Sequence, residues 1–155
     1  MIKAYFFDSS ALVKRYVREM GSVWVQTVTA PQAANQLILS RITWVEVLSA
    51  FARLQREDNL SFMDVTAVTQ AFQYDFDTQY QVVELDRSLI HDAGKLVQRH
   101  PLRAYDSVQL ASALKLQPIL SQFPEATLTF VTADKRLLTI AQAEGLIVDN
   151  PNDYS

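Results

Sequence analysis

The chain has 155 residues, 49% of them hydrophobic and 20% charged, which fits one folded domain and excludes a disordered chain. It contains no cysteine, which excludes a disulfide scaffold, a thiol nucleophile and cysteine-based metal sites and favours a reducing cytoplasm. The formal net charge of −3 argues against a protein that coats nucleic acid non-specifically, but it is compatible with an enzyme that acts on nucleic acid.

The first predicted strand, at residues 4–7, is a short apolar run typical of a strand that is buried on both faces of a parallel sheet. Asp8 follows it directly, at the sheet edge where ligands bind in α/β proteins. Either Ser9 or Ser10 is a candidate N-cap for a helix that begins at Ala11. By itself, Asp8 fits a helix cap as well as it fits a ligand-binding carboxylate.

The rest of the chain alternates between predicted helices and strands. Apolar runs predict strands at residues 37–39, 82–85, 128–131 and 146–148. Helical spacing predicts helices at residues 11–19, 22–30, 43–58 (capped by Thr43), 61–76, 86–99, 103–116 and 134–144, with a proline-containing connection at 117–124. This alternation predicts a three-layer α/β domain at residues 1–150 with a mainly parallel sheet, followed by a short polar tail at 151–155. We expect the polar residues 149–155 to be frayed. We expect no signal peptide and no membrane span, because no apolar run has the required length.

Two further aspartates stand out beside Asp8. Asp134 follows the strand at residues 128–131 and begins a helix, so it repeats the placement of Asp8 at the same edge of the sheet. Asp106 shares a helix face with apolar residues and would be costly to bury without a partner. Arg103, three residues earlier, is a possible structural partner, and the structural and functional interpretations of Asp106 have equal weight.

Glu46 has the weakest support from the pattern. On the helical wheel it lies opposite the apolar stripe that contains Trp44, Val47 and Phe51, which is the position of an ordinary solvated residue. Only its place in the first helical turn, near the positive end of the helix dipole, favours a role at the sheet edge.

Together, Asp8, Glu46, Asp106 and Asp134 would form one acidic site if they met at this edge. Like charges about 5 Å apart repel by roughly 3 kcal/mol per pair at an effective dielectric constant near 20, so such a site needs a bound cation. Carboxylate ligands without cysteine or a neighbouring histidine suit Mg²⁺ or Mn²⁺ rather than zinc or copper. Such an ion can activate a water molecule for attack on a phosphodiester.

The sequence resembles the PIN-domain family, and in particular the VapC ribonuclease toxins of bacterial type II toxin–antitoxin systems. The resemblance covers nearly the whole chain, and four parts carry it in order: YFFDSSALVK at residues 5–14, Glu46 early in a helix, RAYDSVQLA at 103–111 and FVTADKRL at 130–137. Each motif alone is moderately specific, whereas all four in this order are highly specific.

The resemblance implies an α/β/α sandwich around a five-stranded parallel sheet of order 3-2-1-4-5. It also implies a homodimer, a VapB-like antitoxin partner that covers the acidic site, and Mg²⁺- or Mn²⁺-dependent cleavage of RNA. Asp8, Glu46, Asp106 and Asp134 are then the catalytic metal ligands, which overrules the helical-wheel interpretation of Glu46. Ser9 and Thr132 match small hydroxyl residues that support the two strand-end aspartates.

Four basic residues follow two of these acids in sequence and are candidate contacts for RNA phosphates, although charged helix faces are usually only solvated: Lys14, Arg15, Lys135 and Arg136. His91 and His100 lie away from the strand ends, so we predict surface positions and no Ser-His-Asp triad. Only three glycines are present and none forms a phosphate-binding loop.

Two alternative functions remain open. The first is a catalytically silent PIN-like protein that binds RNA or a partner protein. The second is a phosphatase with Asp8 as nucleophile, which is disfavoured because Ser10 stands where the haloacid-dehalogenase pattern has a second aspartate.

Overall fold

A computed structural model describes residues 1–154 and contains one five-stranded sheet. The strands are β1 (Ile2–Phe7), β2 (Gln36–Ser40), β3 (Gln81–Val83), β4 (Ala126–Val131) and β5 (Ile147–Asp149). All neighbouring strands are parallel, in the order β3-β2-β1-β4-β5. This confirms the predicted fold class and the strand order that the resemblance implied.

The α-helices of the described residues are α1 (Ser9–Tyr16), α2 (Ser22–Thr29), α3 (Ile42–Arg56), α4 (Phe62–Thr78), α5 (Arg87–Arg99), α6 (Ala104–Leu120) and α7 (Lys135–Ala143). Short 3₁₀ helices span Pro31–Ala33 and Pro151–Asp153. In this part of the chain, no helix combines the length and the apolar character needed to cross a membrane.

The central strand β1 separates two hydrophobic cores because successive side chains of a strand point to opposite faces of the sheet. Phe6 belongs to the core that includes residues of α5, α6 and α7, and its ring stacks on that of Phe130 at 5.6 Å between centroids. Phe7 belongs to the other core, which includes Leu12 of α1 and Phe51 of α3. The sheet is therefore covered on both faces, and its carboxyl edge stays open for a site.

Helix α6 is longer than predicted. It continues through Pro118 to Leu120, so the connection expected at residues 117–124 is partly helical. Proline removes one helical hydrogen bond, which normally favours a helix end. Leu116 and Leu120 pack against the hydrophobic core, and we attribute the continuation of the helix to this burial.

The prediction of a frayed tail is wrong for the described residues of that segment. Pro151 is buried, and the ring of Tyr154 stacks on Trp24 of α2 at 4.6 Å between centroids. Gly21 allows this packing: it has φ +83°, and a Cβ atom there would lie 2.3 Å from the carbonyl oxygen of Pro151. Residues 151–154 are thus held against α2 by long-range contacts that their polar composition does not reveal.

Candidate active site

All four predicted acids line a single pocket of about 460 Å³ at the carboxyl edge of the sheet. Asp8 directly follows β1 and Asp134 follows β4, whereas Glu46 lies near the start of α3 and Asp106 in the first turn of α6. Four elements thus bring carboxylates to one place, which we call the acidic pocket. Strand ends and helix starts meet at this edge because every strand of the sheet is parallel.

Asp8 is both a helix cap and a wall of the acidic pocket. It is 3% exposed, and it is the N-cap of α1, which begins at Ser9 rather than at the predicted Ala11. Its Oδ1 accepts hydrogen bonds from the Ser10 hydroxyl (2.7 Å) and the Ala11 backbone N–H (3.0 Å). Its Oδ2 accepts one from the Thr132 hydroxyl (2.6 Å). The expected serine cap is therefore wrong, because the carboxylate itself takes that position.

Burial dominates the acidity of Asp8. Removal from water raises the pKa of its carboxyl group to about 7, although the hydrogen bonds from Thr132, Ser10 and Ala11 oppose this rise. The negative charge of Glu46 adds a smaller rise. An aspartate with this pKa is only about half ionised near neutral pH, and a nearby positive charge would stabilise its ionised form.

The loop after β4 is joined to the loop after β1 by two hydroxyl groups. Thr132 accepts a hydrogen bond from the backbone N–H of Asp134 at 3.0 Å, while it donates to Asp8. Ser10 accepts one from the backbone N–H of Ala133, also at 3.0 Å. The hydroxyl that contacts Asp8 from α1 thus belongs to Ser10 and not to Ser9, the residue that the motif comparison singled out.

Asp134 begins α7 in the same way that Asp8 begins α1. Its Oδ1 accepts hydrogen bonds from the backbone N–H groups of Arg136 (2.9 Å) and Leu137 (3.1 Å). The N-cap geometry holds this carboxylate at the sheet edge and leaves Oδ2 directed to other partners. The two strand-end aspartates therefore have equivalent local structures.

Glu46 lies in the acidic pocket and not on the open helix surface. Its Oε1 accepts a hydrogen bond from the side-chain amide of Gln109 on α6 at 2.7 Å. Burial raises the pKa of the Glu46 carboxyl group, and the charge of Asp106 adds to this, while Gln109 and Ser9 favour the ionised form. Ser9 thus favours the ionised form of Glu46 and not, as the resemblance implied, that of Asp8.

One arginine joins the other two acids. The Arg103 guanidinium contacts Asp106 Oδ2 through Nε and Asp134 Oδ2 through Nη2, each at 3.3 Å. Burial raises the pKa of the Asp106 carboxyl group, while the charge of Arg103 opposes this rise. The structural partner predicted for Asp106 is therefore present, and it bridges to a second carboxylate. The Arg103 side chain is 79% exposed, so this bridge is only weakly held.

The donor atoms of the acidic pocket fit a hard divalent cation. They are carboxylate and hydroxyl oxygens without sulfur or imidazole, which suits Mg²⁺ or Mn²⁺. Burial raises the pKa of Asp8, Glu46 and Asp106, as expected of acids that lack a buried counter-charge. Among residues 1–154, no three His, Cys, Asp or Glu side chains stand close enough to hold an ion together. The residues therefore fit such an ion in type and share one pocket, although they are too far apart to hold it as they stand.

The four candidate phosphate contacts divide into two pairs. Lys135 and Arg136 are exposed and line a second pocket of about 510 Å³, which adjoins the acidic pocket and shares Asp106 and Asp134 with it. Lys14 is 6% exposed and pairs with Glu19 at 3.5 Å. We retain only Lys135 and Arg136 as candidates.

Arg15 points into the protein. Its Nη1 donates a hydrogen bond to the Tyr80 hydroxyl at 2.6 Å and lies 3.5 Å from Asp75, so it joins α1 to α4. With its side chain only 13% exposed, Arg15 stabilises the fold and is a poor candidate for RNA contact. This network was invisible in the sequence because its members are about 60 residues apart.

Sequence reasoning missed three residues that contribute to the site. Gln109 is buried beside Glu46, and a polar residue in the apolar run of α6 was the available signal. Arg53 lies on the same face of α3 as Glu46, two turns later, and lines the acidic pocket without an ion pair among residues 1–154. Tyr105 lines the same pocket with 62% of its surface exposed.

Neither histidine lines the acidic pocket. His91 is exposed, and His100 Nε2 lies 2.9 Å from Glu144, on the side chain that also pairs with Arg99. The predicted surface position is confirmed for His91, whereas His100 is half-buried.

Comparisons with known proteins agree with this fold. The family model of the PIN domain matches residues 5–143. Ribonuclease VapC45 of Mycobacterium tuberculosis is 31% identical over 140 residues, which is 90% of each chain. Ribonuclease VapC49 of the same species gives the same values.

Among solved structures, a toxin–antitoxin complex from Klebsiella pneumoniae has a TM-score of 0.63 at 18% identity and covers 95% of this chain and 97% of its own. VapC20 of M. tuberculosis, described as a toxin that cleaves the sarcin–ricin loop, has a TM-score of 0.63 at 15% identity, with 92% and 96% covered. These identities support the fold alone. The family match and the two ribonuclease relatives span most of the chain, and the chain therefore belongs to the PIN domain family, within the group of VapC ribonucleases.

Proposed function

We propose that this protein is a Mg²⁺- or Mn²⁺-dependent endoribonuclease and the toxin of a toxin–antitoxin pair. The observation that carries the proposal is the convergence of Asp8, Glu46, Asp106 and Asp134, from four separate elements, on one pocket. The names of the VapC relatives support RNA as the substrate.

Asp8, Glu46, Asp106 and Asp134 would hold the divalent ion at the carboxyl edge of the sheet. When bound, such an ion would supply a lower pKa for an attacking water molecule and compensation for the charge on the scissile phosphate. Thr132 and Ser10 fix the orientation of the Asp8 carboxylate through both of its oxygens. Burial raises the pKa of the Asp8 carboxyl group to about 7, and a nearby cation would favour the ionised form that is needed to hold it.

The basic side chains around the pocket are proposed to bind the RNA backbone. Arg53 lines the acidic pocket, and Lys135 and Arg136 line the adjoining one. Phosphate contacts of this kind position a nucleic acid without reading its sequence.

The proposal includes a VapB-like antitoxin that covers the acidic pocket, a homodimer and a cytoplasmic location. The likeness to a toxin–antitoxin complex from K. pneumoniae supports the antitoxin partner. The absence of cysteine suits a reducing compartment.

A cleavage assay with a matched pair of variants tests the function. Wild-type protein is expected to cut single-stranded RNA in Mn²⁺ and to lose this activity in EDTA. Asp106→Asn should cut at least about 100-fold more slowly, since it removes a proposed metal ligand. Asp92→Asn is the control, because it removes an exposed carboxylate of α5 outside the acidic pocket. Activity that resists EDTA, or that survives in Asp106→Asn, contradicts the proposal. Sequencing the 5′ ends of the fragments then identifies the cleavage site.

One observation favours a second candidate, a catalytically silent protein that binds RNA or a protein partner. Arg103 already bridges Asp106 and Asp134, as it would in a site that holds no metal. Calorimetry separates the two functions. The nuclease is expected to bind Mn²⁺ and to lose this binding in Asp106→Asn, whereas the silent protein is expected to show no such binding.

A further inference from the structure

Gln109 is a fully buried polar side chain between the two helices that carry Glu46 and Asp106. It is 1% exposed on α6, and its Nε2 donates hydrogen bonds to Glu46 Oε1 at 2.7 Å and to Thr43 Oγ1 at 2.9 Å. Both acceptors lie on α3. The predicted role of Thr43 as the cap of α3 is wrong, because the helix begins at Ile42 and Thr43 is buried against Gln109.

The other half of this amide is unsatisfied. Gln109 Oε1 is buried and has no hydrogen-bond partner among residues 1–154. A buried amide oxygen without a partner loses its hydration and gains nothing in return, so this oxygen lowers the stability of the fold. An unsatisfied buried group in a native structure calls for an explanation other than stability.

One feature of the geometry and one of the charge supply that explanation. Gln109 lies one turn after Asp106 on α6, so a bond from Gln109 to Glu46 fixes the position of one acid relative to the other. An amide donor also binds a carboxylate without neutralising it, so Glu46 keeps its charge for a cation. Arg103 differs in this respect, because its guanidinium neutralises the acids that it contacts.

We propose that Gln109 is a positioning residue that holds the Glu46 carboxylate beside Asp106, so that the two helix-borne acids can bind one divalent ion. The inference rests on the proposed metal site and adds a residue to it. Gln109 touches neither ion nor substrate and acts through Glu46.

Two buried hydrogen bonds of α6 make a matched test. Gln109→Met keeps a side chain of similar length and removes the amide. Ser112→Ala removes the buried hydrogen bond between Ser112 and Ser40 of β2 (3.0 Å), one turn further along α6 and outside the acidic pocket. Both variants lose a buried contact of the same helix, but only the first loses a contact to a proposed ligand.

Isothermal titration calorimetry with Mn²⁺ is the measurement, performed below the melting temperature of each variant. We expect Gln109→Met to weaken Mn²⁺ binding about 10- to 100-fold, the usual effect of removing a partner that orients a metal ligand. Ser112→Ala should stay within about twofold of wild type. If Gln109→Met does not fold, Gln109→Asn replaces it, because the shorter amide cannot reach Glu46 and should also weaken binding.

A double-mutant cycle tests whether Gln109 acts through Glu46. In a Glu46→Gln background, Gln109→Met should cause little further loss of Mn²⁺ affinity, because the ligand that it positions is already gone. Unchanged Mn²⁺ affinity in Gln109→Met, an equal loss in Ser112→Ala, or full additivity with Glu46→Gln refutes the positioning role while the metal site stands. No Mn²⁺ binding by the wild type overturns the metal site as well.

Discussion

Asp8→Asn is expected to abolish RNA cleavage and at the same time to stabilise the metal-free protein at alkaline pH. The substitution replaces a buried carboxylate with a neutral amide of nearly the same shape. Its Oδ1 can still accept from Ser10 and Ala11, and its amide group faces the Thr132 hydroxyl, which can accept as well as donate. The substitution therefore removes mainly the buried negative charge, which destabilises the folded protein.

The pKa of Asp8 gives the magnitude. Burial raises it from 3.8 to about 7, a rise of roughly 3 units, and each unit corresponds to 1.36 kcal/mol. Between these two values the folded state binds more protons than the unfolded chain, so the free energy of unfolding falls as the pH rises from about 4 to about 7. Above pH 7 the buried charge of Asp8 lowers the free energy of unfolding by its full amount, about 4 kcal/mol.

Thermal and urea unfolding in EDTA measure this cost. At pH 8 we expect Asp8→Asn to have a free energy of unfolding at least about 2 kcal/mol higher than wild type, since the amide recovers only part of the hydrogen bonding. For a chain of this size, that corresponds to a rise in melting temperature of about 4–8 °C. The difference should shrink toward pH 4, where the carboxyl group of the wild type is protonated in the folded state. Added Mn²⁺ should stabilise only the wild type.

Asp86→Asn is the matched control for this experiment. Asp86 is also an N-cap aspartate whose Oδ1 accepts from a backbone N–H, that of Leu89 at 2.8 Å, but it is exposed, and hydrogen bonding lowers the pKa of its carboxyl group. Its substitution should leave stability unchanged or slightly reduced at pH 8. An Asp8→Asn protein that is no more stable than wild type at pH 8 refutes the reasoning, because the buried charge would then carry no net cost.

Two further predictions concern charge and hydrogen bonding elsewhere. Arg103→Gln should bind Mn²⁺ about three- to tenfold more tightly, because it removes a competing cation from Asp106. Arg136→Gln is the control, and an equal gain in its Mn²⁺ affinity would show that the effect comes from net charge and not from the Arg103 contact. Tyr16→Phe should lower the free energy of unfolding in urea by about 1–3 kcal/mol, because the Tyr16 hydroxyl donates a hydrogen bond to the half-buried Asp75 at 2.8 Å. An unchanged urea midpoint would exclude that contribution.

Local sequence determined the parts of the site that lie at strand–helix junctions. An apolar run with an aspartate at the start of the next helix predicted that Asp8 and Asp134 lie at the same edge of the sheet, where the structure places both. The physical reason is that strand formation, helix capping and chain direction act over a few neighbouring residues. The strand order came from the resemblance of the whole chain to a known family and was confirmed by the structure.

Glu46 shows the limit of local pattern. The helical wheel placed it on a solvated surface, because a wheel contains only the neighbours of a residue on its own helix. The structure packs α6 against α3, and Gln109, which is 63 residues away in sequence, donates a hydrogen bond to Glu46. The family resemblance was right about the location of Glu46 where the wheel was wrong.

The burial of Lys14 and Arg15 and the packing of residues 151–154 were missed for the same reason. From sequence alone, a basic residue that follows a motif is predicted to be exposed, because its partners are unknown. The partners of Arg15, Asp75 on α4 and Tyr80 next to β3, are distant in sequence. Likewise, residues 151–154 pack on α2, where the ring of Tyr154 stacks on that of Trp24. The sequence alone determined the elements and the junctions where acids stand. Only the tertiary structure decided which side chains are buried and paired, since those energies come from contacts between distant parts of the chain.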